Sequence, residues 1–134
     1  MLKTVILWPA IAQAVLIFLS YVNLGRARSA AVRNGLAKDT DFPPGNEPPE
    51  SAAGRRLVAN QFELPVLFFV VIAFLMMIDG VSIIELALAW LFVVVRAIHM
   101  IGSLKGPLML RHASFFVAFL IVVALWADLA IRLL

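Results

Sequence analysis

Residues 55–65 of the chain read RRLVANQFELP, and they lead directly into the uncharged run of residues 66–78. If this stretch is helical, Arg56, Asn60 and Glu63 stand at positions i, i+4 and i+7 and share one face. A charge at membrane depth costs about 3 kcal/mol or more, and it persists where it faces protein, water or a ligand. A polar face at the start of an apolar helix therefore predicts a membrane-spanning fold and a functional site together.

The composition agrees with a membrane protein. The chain has 134 residues, of which 63% are hydrophobic and 14% charged, and its mean hydropathy is +1.02. Soluble domains carry about 25% charged residues. The sequence contains no cysteine, so any thiol chemistry must come from a ligand. The net charge is +3, but the basic residues flank apolar segments and form no aromatic-interleaved surface, so we expect no nucleic-acid partner.

Four apolar segments are long enough to cross a bilayer as helices, at about 1.5 Å per residue. They cover approximately residues 4–25, 57–78, 81–104 and 108–132. A secretory signal is a rival interpretation of the first segment, but the apolar run continues well beyond its possible cleavage site. We expect one all-α domain over residues 1–134, an integral membrane four-helix bundle with up-down topology.

The connections between these segments have distinct compositions. We expect a loop over residues 35–55, because its acidic residues and four prolines, Pro43, Pro44, Pro48 and Pro49, block helix and sheet. The first helix should stop near Asn34-Gly35, where glycine can adopt the left-handed conformation. Pro65 should bend the second helix, and Asp79-Gly80 should form a tight turn.

Arginine and lysine are concentrated at the first and third connections, which predicts that both connections are cytoplasmic. This topology brings polar residues from all four helices to one level near the cytoplasmic boundary. They are Arg26 and Arg28 on the first helix, Arg56, Asn60 and Glu63 on the second, Arg96, His99 and Ser103 on the third, and Arg111 on the fourth. Guanidinium groups pair with carboxylates, and a carboxylate accepts from an ammonium group. Such a set suits a zwitterionic ligand with more than one carboxylate.

Several of these residues also have purely structural interpretations. Glu63 and Arg96 could form an ion pair that joins two helices, and His99 could make interhelical hydrogen bonds. The basic residues at the end of the first helix could orient the protein and contact lipid headgroups. We predict no metal site, because the two histidines and the scattered carboxylates show no ligand spacing.

The motifs Arg56-x-x-x-Asn60-x-x-Glu63-x-Pro65 and Arg96-x-x-His99, followed by Arg111, resemble a known family. This is the family of membrane-associated proteins in eicosanoid and glutathione metabolism, MAPEG. Residues 62–68, FELPVLF, look particularly like its bacterial members. The resemblance covers nearly the whole chain.

This resemblance implies a homotrimer in the bacterial inner membrane, with glutathione in a cleft between subunits near the cytoplasmic side. The residues implied to hold glutathione, as a co-substrate, are Arg26, Arg56, Asn60, Glu63, His99 and Ser103. By this resemblance Arg111 matches, within a shift of about one residue, the arginine with which active relatives stabilise the glutathione thiolate. A lipophilic electrophile is implied to arrive through the bilayer.

The expected function is therefore glutathione transferase or peroxidase chemistry on lipophilic electrophiles. Ser103 departs from the family pattern, since many active relatives carry a tyrosine there. It favours the alternative of a non-catalytic membrane binding or scaffold protein with the same fold. A small transporter is less favoured, because the sequence shows no internal repeat or pair of broken helices.

Overall fold

The computed structural model describes residues 2–42 and 46–134, so Pro43 and Pro44 of the predicted loop lie outside the described residues. The helices are α1 (Leu2–Val5), α2 (Leu7–Arg33), α3 (Pro49–Asn60), α4 (Leu64–Met77), α5 (Ile83–Leu104) and α6 (Leu108–Arg132), with a 3-10 turn at Asp39–Asp41. Four helical stretches are long and apolar enough to cross a membrane: Lys3–Arg33, Pro49–Met77, Ile83–Leu104 and Leu108–Arg132. The predicted all-α, multi-pass membrane architecture is confirmed.

The helix that follows the first connection begins earlier than predicted. We expected a loop over residues 35–55, but α3 starts at Pro49. Proline suits the first helical position, because its missing N–H has no partner there and its φ angle is already helical. Glu50 in the first turn adds a favourable interaction with the helix dipole. The predicted start of the second span at residue 57 was therefore wrong by about two helical turns.

Pro65 has a larger effect than the predicted bend. The second span is interrupted at residues 61–63, between the end of α3 and the start of α4. Pro65 has no N–H to donate to the carbonyl four residues earlier, and Glu63 adopts a non-helical conformation with φ −94° and ψ −93°. The span thus consists of two helices joined by a short irregular segment.

Both predicted turns are present. Gly35 has a φ of +69°, and the amides of Gly35 and Leu36 donate to the carbonyls of Val32 and Ala31 at 3.1 and 2.9 Å. Asp79 has a φ of +54°, in the left-handed region that aspartate tolerates. These turns end α2 and the second span where the sequence predicted.

The core lies where the spanning helices pack together. Helix α5 packs against α6 and α2, α2 also packs against α3, and α4 packs against α6. Phe68 of α4 stacks on Phe92 of α5, with ring centroids 4.2 Å apart, and both rings are fully buried. Large apolar side chains such as Phe18 and Phe116 point outward, which is the surface a bilayer requires.

The end of the bundle opposite the first connection is fixed by polar contacts. Ser82 caps α5 and forms a capping box with Glu85, whose Oε2 accepts from the Ser82 amide at 2.6 Å. Arg132 of α6 donates to Glu85 at 2.8 Å and to Asp128 at 2.6 Å. These contacts join the start of α5 to the end of α6, a role that the sequence did not reveal.

Candidate functional site

A cleft of about 330 Å³ opens between α3, α5 and α6, at the end of the bundle that carries the first and third connections. Six of the seven residues predicted to form a site line it: Arg56, Asn60, Glu63, His99, Ser103 and Arg111. The other lining residues are Ala53, Leu57, Ala59, His112 and Phe115. Polar residues from three sequence-distant helices therefore share one concave surface.

Helix α3 and the interruption after it supply the first wall of the cleft. Arg56 and Asn60 lie one helical turn apart, and Glu63 is the last residue of the interruption. Arg56 and Glu63 are exposed, whereas Asn60 is half-buried. A guanidinium group and a carboxylate are thus both accessible to a ligand, with an amide between them.

A buried arginine stabilises the interruption from behind. Arg96 of α5 is fully buried, and its Nη2 donates to the Asn60 carbonyl at 3.2 Å and to Gln61 Oε1 at 3.1 Å. Gln13 of α2 donates to the same Gln61 oxygen at 3.1 Å. Because Asn60 ends a helix, its carbonyl lacks a helical partner and is available to Arg96. Arg96 therefore joins three segments and does not line the cleft.

The structural alternative for Glu63 and Arg96 is not realised. The two side chains form no ion pair within 4.0 Å in the described part of the chain, although the Glu63 charge still acts on Arg96. Glu63 instead remains exposed at the cleft. Its carboxylate is free of protein hydrogen bonds to the described residues and can accept from a ligand.

His99 connects α5 to α6 beneath the cleft. Its Nδ1 lies 3.0 Å from the Arg111 carbonyl oxygen, and its Nε2 lies 3.3 Å from Ser103 Oγ. A carbonyl oxygen only accepts, so Nδ1 carries the proton, and the Nε2 of the neutral ring accepts from the Ser103 hydroxyl. His99 thus forms the predicted interhelical hydrogen bond and also lines the cleft.

The start of α6 supplies Arg111 and His112. Arg111 is half-buried and His112 is exposed, and both line the cleft. Sequence reasoning singled out Arg111 and passed over His112, although its adjacency to Arg111 was a usable signal. Phe115, one turn later, gives this wall an apolar part and lies 5.9 Å from the His99 ring, centroid to centroid.

Arg26 is the predicted residue that the structure does not bring to the cleft. It is exposed on α2 and is not among the lining residues. The predicted grouping of Arg26 with Arg56 and Glu63 is therefore not observed within the chain. Helix α2 packs against α3 and α5, and Arg26 lies on the part of its surface that these contacts leave exposed.

The fold and the cleft define a class of protein: a multi-pass helical membrane protein with a polar, arginine-bearing cleft at one end of its bundle. The profile of the MAPEG family matches residues 5–131. The chain belongs to the MAPEG family, and the recognition made from its motifs is confirmed. No curated protein and no solved structure matched the chain.

Proposed function

We propose that this protein binds glutathione in the cleft and directs its thiolate at lipophilic substrates, either by conjugation of the sulfur to an electrophile or by reduction of a peroxide to an alcohol while two glutathione molecules are oxidised to the disulfide. The observation that carries the proposal is the convergence of Arg56, Asn60, Glu63 and Arg111 on one cleft. Its volume of about 330 Å³ falls within the roughly 300–1,000 Å³ usual for small-molecule sites. Membership of a glutathione-associated membrane family supports the same ligand.

The charges of the cleft complement those of glutathione. Arg56 can pair with a carboxylate of the tripeptide, and Glu63 can accept from its ammonium group. Asn60 can donate to and accept from a peptide group. The ligand then lies along the wall formed by α3, with its thiol directed to the opposite wall.

Arg111 is the proposed catalytic residue. A free thiol has a pKa of about 8.5, and only the thiolate is a strong nucleophile. A guanidinium group beside the sulfur stabilises the thiolate and increases the reactive fraction at neutral pH. The sulfur then forms a bond to the electrophilic carbon while the leaving group departs with its bonding electrons. Phe115 provides an apolar surface against which a lipophilic electrophile can pack.

The proposed assembly is a homotrimer in a bacterial inner membrane, with the cleft on the cytoplasmic side. In this assembly the exposed Arg26 of one subunit reaches the cleft of its neighbour. The open position of the cleft on the protomer surface supports this arrangement. Arg26→Ala should then weaken glutathione binding although Arg26 does not line the cleft of its own protomer.

The test is glutathione binding by calorimetry, and activity with an activated aryl chloride, on protein purified in detergent. We expect Arg111→Ala to lower kcat/KM about 100-fold, as removal of one oxyanion-stabilising donor does. Glu63→Gln should weaken binding about tenfold, which corresponds to about 1.4 kcal/mol. Lys105→Gln removes a charge at the same end of the bundle outside the cleft and serves as the matched control. Absence of both binding and activity in the wild type overturns the proposal.

A second function is favoured by one observation, the hydrogen bond between Ser103 and His99. A serine that donates to His99 has no further proton to offer a thiolate. In this alternative the protein binds its ligand without turnover. Binding without activity in the wild type, together with activity gained in Ser103→Tyr, would establish it.

A further inference from the structure

A second cleft, separate from the first, lies between the last turns of α2 and the start of the first connection. Its volume is about 550 Å³. It is lined by Gly25, Arg28, Ser29, Val32, Arg33, Asp39 and Phe42. We refer to it as the α2 groove.

The length of α2 places this groove at the level of lipid headgroups. Residues 4–24 are uncharged and rise about 31 Å, which matches a hydrocarbon core of about 30 Å. Gly25 to Arg33 then extend about 12 Å further, into the polar layer of the bilayer. The groove therefore faces phosphates and headgroup substituents instead of acyl chains.

One of the two arginines in the groove is already neutralised. Arg28 donates from Nε and Nη2 to the two carboxylate oxygens of Glu47, at 3.1 and 2.6 Å. Its guanidinium carbon also lies 5.0 Å from the centre of the Phe42 ring. These contacts attach the connection to α2 and make Arg28 part of the wall of the groove.

The remaining two charges of the groove are unpaired and of opposite sign. Arg33 and Asp39 are both exposed, and within residues 2–42 and 46–134 neither makes an ion pair or hydrogen bond through its side chain. Arg33 lies on α2, one turn after Ser29, whereas Asp39 begins the 3-10 turn on the other side of the groove. A ligand that satisfies both must carry an anion and a cation.

We propose that the α2 groove binds a phospholipid headgroup in which a phosphate is followed by a primary ammonium group, as in phosphoethanolamine. Arg33 and the Ser29 hydroxyl bind the phosphate, and Asp39 accepts from the ammonium group. Gly25 leaves open space beside this position, since no atom lies within 4 Å of where its Cβ would stand.

The same charges disfavour two other common kinds of headgroup. A headgroup with a net negative charge and no cation leaves Asp39 unpaired next to an anion, which is unfavourable. A quaternary ammonium group has no N–H with which to bond to the Asp39 carboxylate. The groove therefore distinguishes a primary amine from both alternatives. This site is independent of the proposed glutathione function.

The test is native mass spectrometry of the full-length protein released from nanodiscs with equal parts of phosphatidylethanolamine, phosphatidylcholine and phosphatidylglycerol. We expect at least about tenfold more retained phosphatidylethanolamine than either other lipid, equivalent to about 1.4 kcal/mol. Arg33→Gln and Asp39→Asn should each abolish this preference. Both side chains are exposed and unpaired, so the variants should fold, and a thermal melt checks this. Lys105→Gln, an exposed cation at the same end of the bundle, should keep the preference.

A second arm distinguishes the lipid from a soluble source of the same chemistry. Glycerophosphoethanolamine at millimolar concentration should leave the retained lipid unchanged, because it lacks the acyl chains that hold the headgroup at the membrane. The proposal is overturned if this soluble compound displaces the lipid completely. It is also overturned if phosphatidylglycerol is preferred, or if both charge variants retain the wild-type preference.

Discussion

His99 Nδ1 and the backbone carbonyl oxygen of Arg111 lie 3.0 Å apart, so the imidazole fixes the start of α6 against α5. The residue that the carbonyl belongs to is the proposed catalytic arginine. The position of its guanidinium group therefore depends on a ring that lies one helix away and is 1% exposed. This one contact therefore links the packing of α5 and α6 to the proposed role of Arg111.

His99→Ala should weaken both the fold and the cleft. The substitution removes the hydrogen bond between the two helices, worth about 0.5–1.5 kcal/mol, and leaves the Arg111 carbonyl with the Ser114 hydroxyl of its own helix, at 3.1 Å. Without this restraint Arg111 moves, and glutathione affinity and kcat/KM should both fall. Ser20→Ala is the control, because the buried Ser20 donates to the Ile17 carbonyl of its own helix, at 2.6 Å, and does not line the cleft. Unfolding in mixed micelles and calorimetry give the two readouts, and equal effects of both substitutions would contradict the expectation.

Gly102→Leu should displace α6 from α5. A Cβ at Gly102 would stand 3.3 Å from the Arg111 amide nitrogen, so a larger side chain forces the two backbones apart. We expect loss of stability and loss of aryl chloride conjugation. Gly25→Ala is the comparison, because a Cβ there meets nothing within 4 Å, and alanine in a helix interior is favoured by about 0.5–1 kcal/mol. Wild-type activity in Gly102→Leu would show that the close approach does not position Arg111.

Arg96→Met should destabilise the junction between α3 and α4. The substitution removes two hydrogen bonds that the charged Nη2 group donates, to the Asn60 carbonyl and to Gln61. It also removes the buried Nε and Nη1 groups, which have no hydrogen-bond partner. The opposing effects leave a net loss of about 1–3 kcal/mol in unfolding free energy. Hydrogen exchange should increase at residues 57–64, and exchange unchanged from wild type there would refute the role given to Arg96.

Acidification should loosen the attachment of the first connection. The hydrogen bonds from Arg28 hold the pKa of the Glu47 carboxylate below its usual 4.5. A lowered folded-state pKa means that this contact stabilises the fold above about pH 4.5 and is lost as pH falls through the folded-state value. Glu47 also accepts from the Ser51 hydroxyl, so the start of α3 should respond.

The readout for this prediction is hydrogen exchange at residues 49–54, corrected for the intrinsic pH dependence of the rate. Wild type should show faster corrected exchange only at acidic pH, whereas Glu47→Gln should show it already at neutral pH. Glu50→Gln is the matched control: it removes an exposed carboxylate from the first turn of the same helix and with it only the interaction with the helix dipole, so its effect at neutral pH should be smaller than that of Glu47→Gln. A wild-type profile in Glu47→Gln would count against the contact.

The spans and much of the cleft were predictable, because both depend on local pattern. Uninterrupted apolar runs identify membrane helices, and the spacing of Arg56 and Asn60 places them on one face whatever surrounds the helix. Glu63 lines the cleft, but not from a helix as the spacing predicted, since α3 ends at Asn60. His112 was missed because its neighbour Arg111 already accounted for the motif.

Other features depend on how helices rotate about their axes, and the sequence does not specify this. Arg26 was predicted to join the site, but it is exposed on α2 and does not line the cleft. Arg96 was expected among the polar residues of the site. It instead donates to the Asn60 carbonyl, which lacks a helical partner because Pro65 interrupts the helix. Glu85 is 1% exposed and accepts from Arg132, which lies 47 residues further along the chain. The observed positions of these side chains depend on contacts between segments that are distant in the sequence.

The ion pairs are distributed unevenly between the two ends of the bundle. Of the four within the described residues, three (Lys3 with Asp79, and Arg132 with both Glu85 and Asp128) tie the end remote from the cleft. Thermal fluctuations of α3 should consequently be larger than those of the opposite end, because the remaining ion pair, between Arg28 and Glu47, lies before α3 begins. Movement of α3 can then widen the entrance of the cleft for an incoming molecule, while the ion pairs at the opposite end keep α5 and α6 in register.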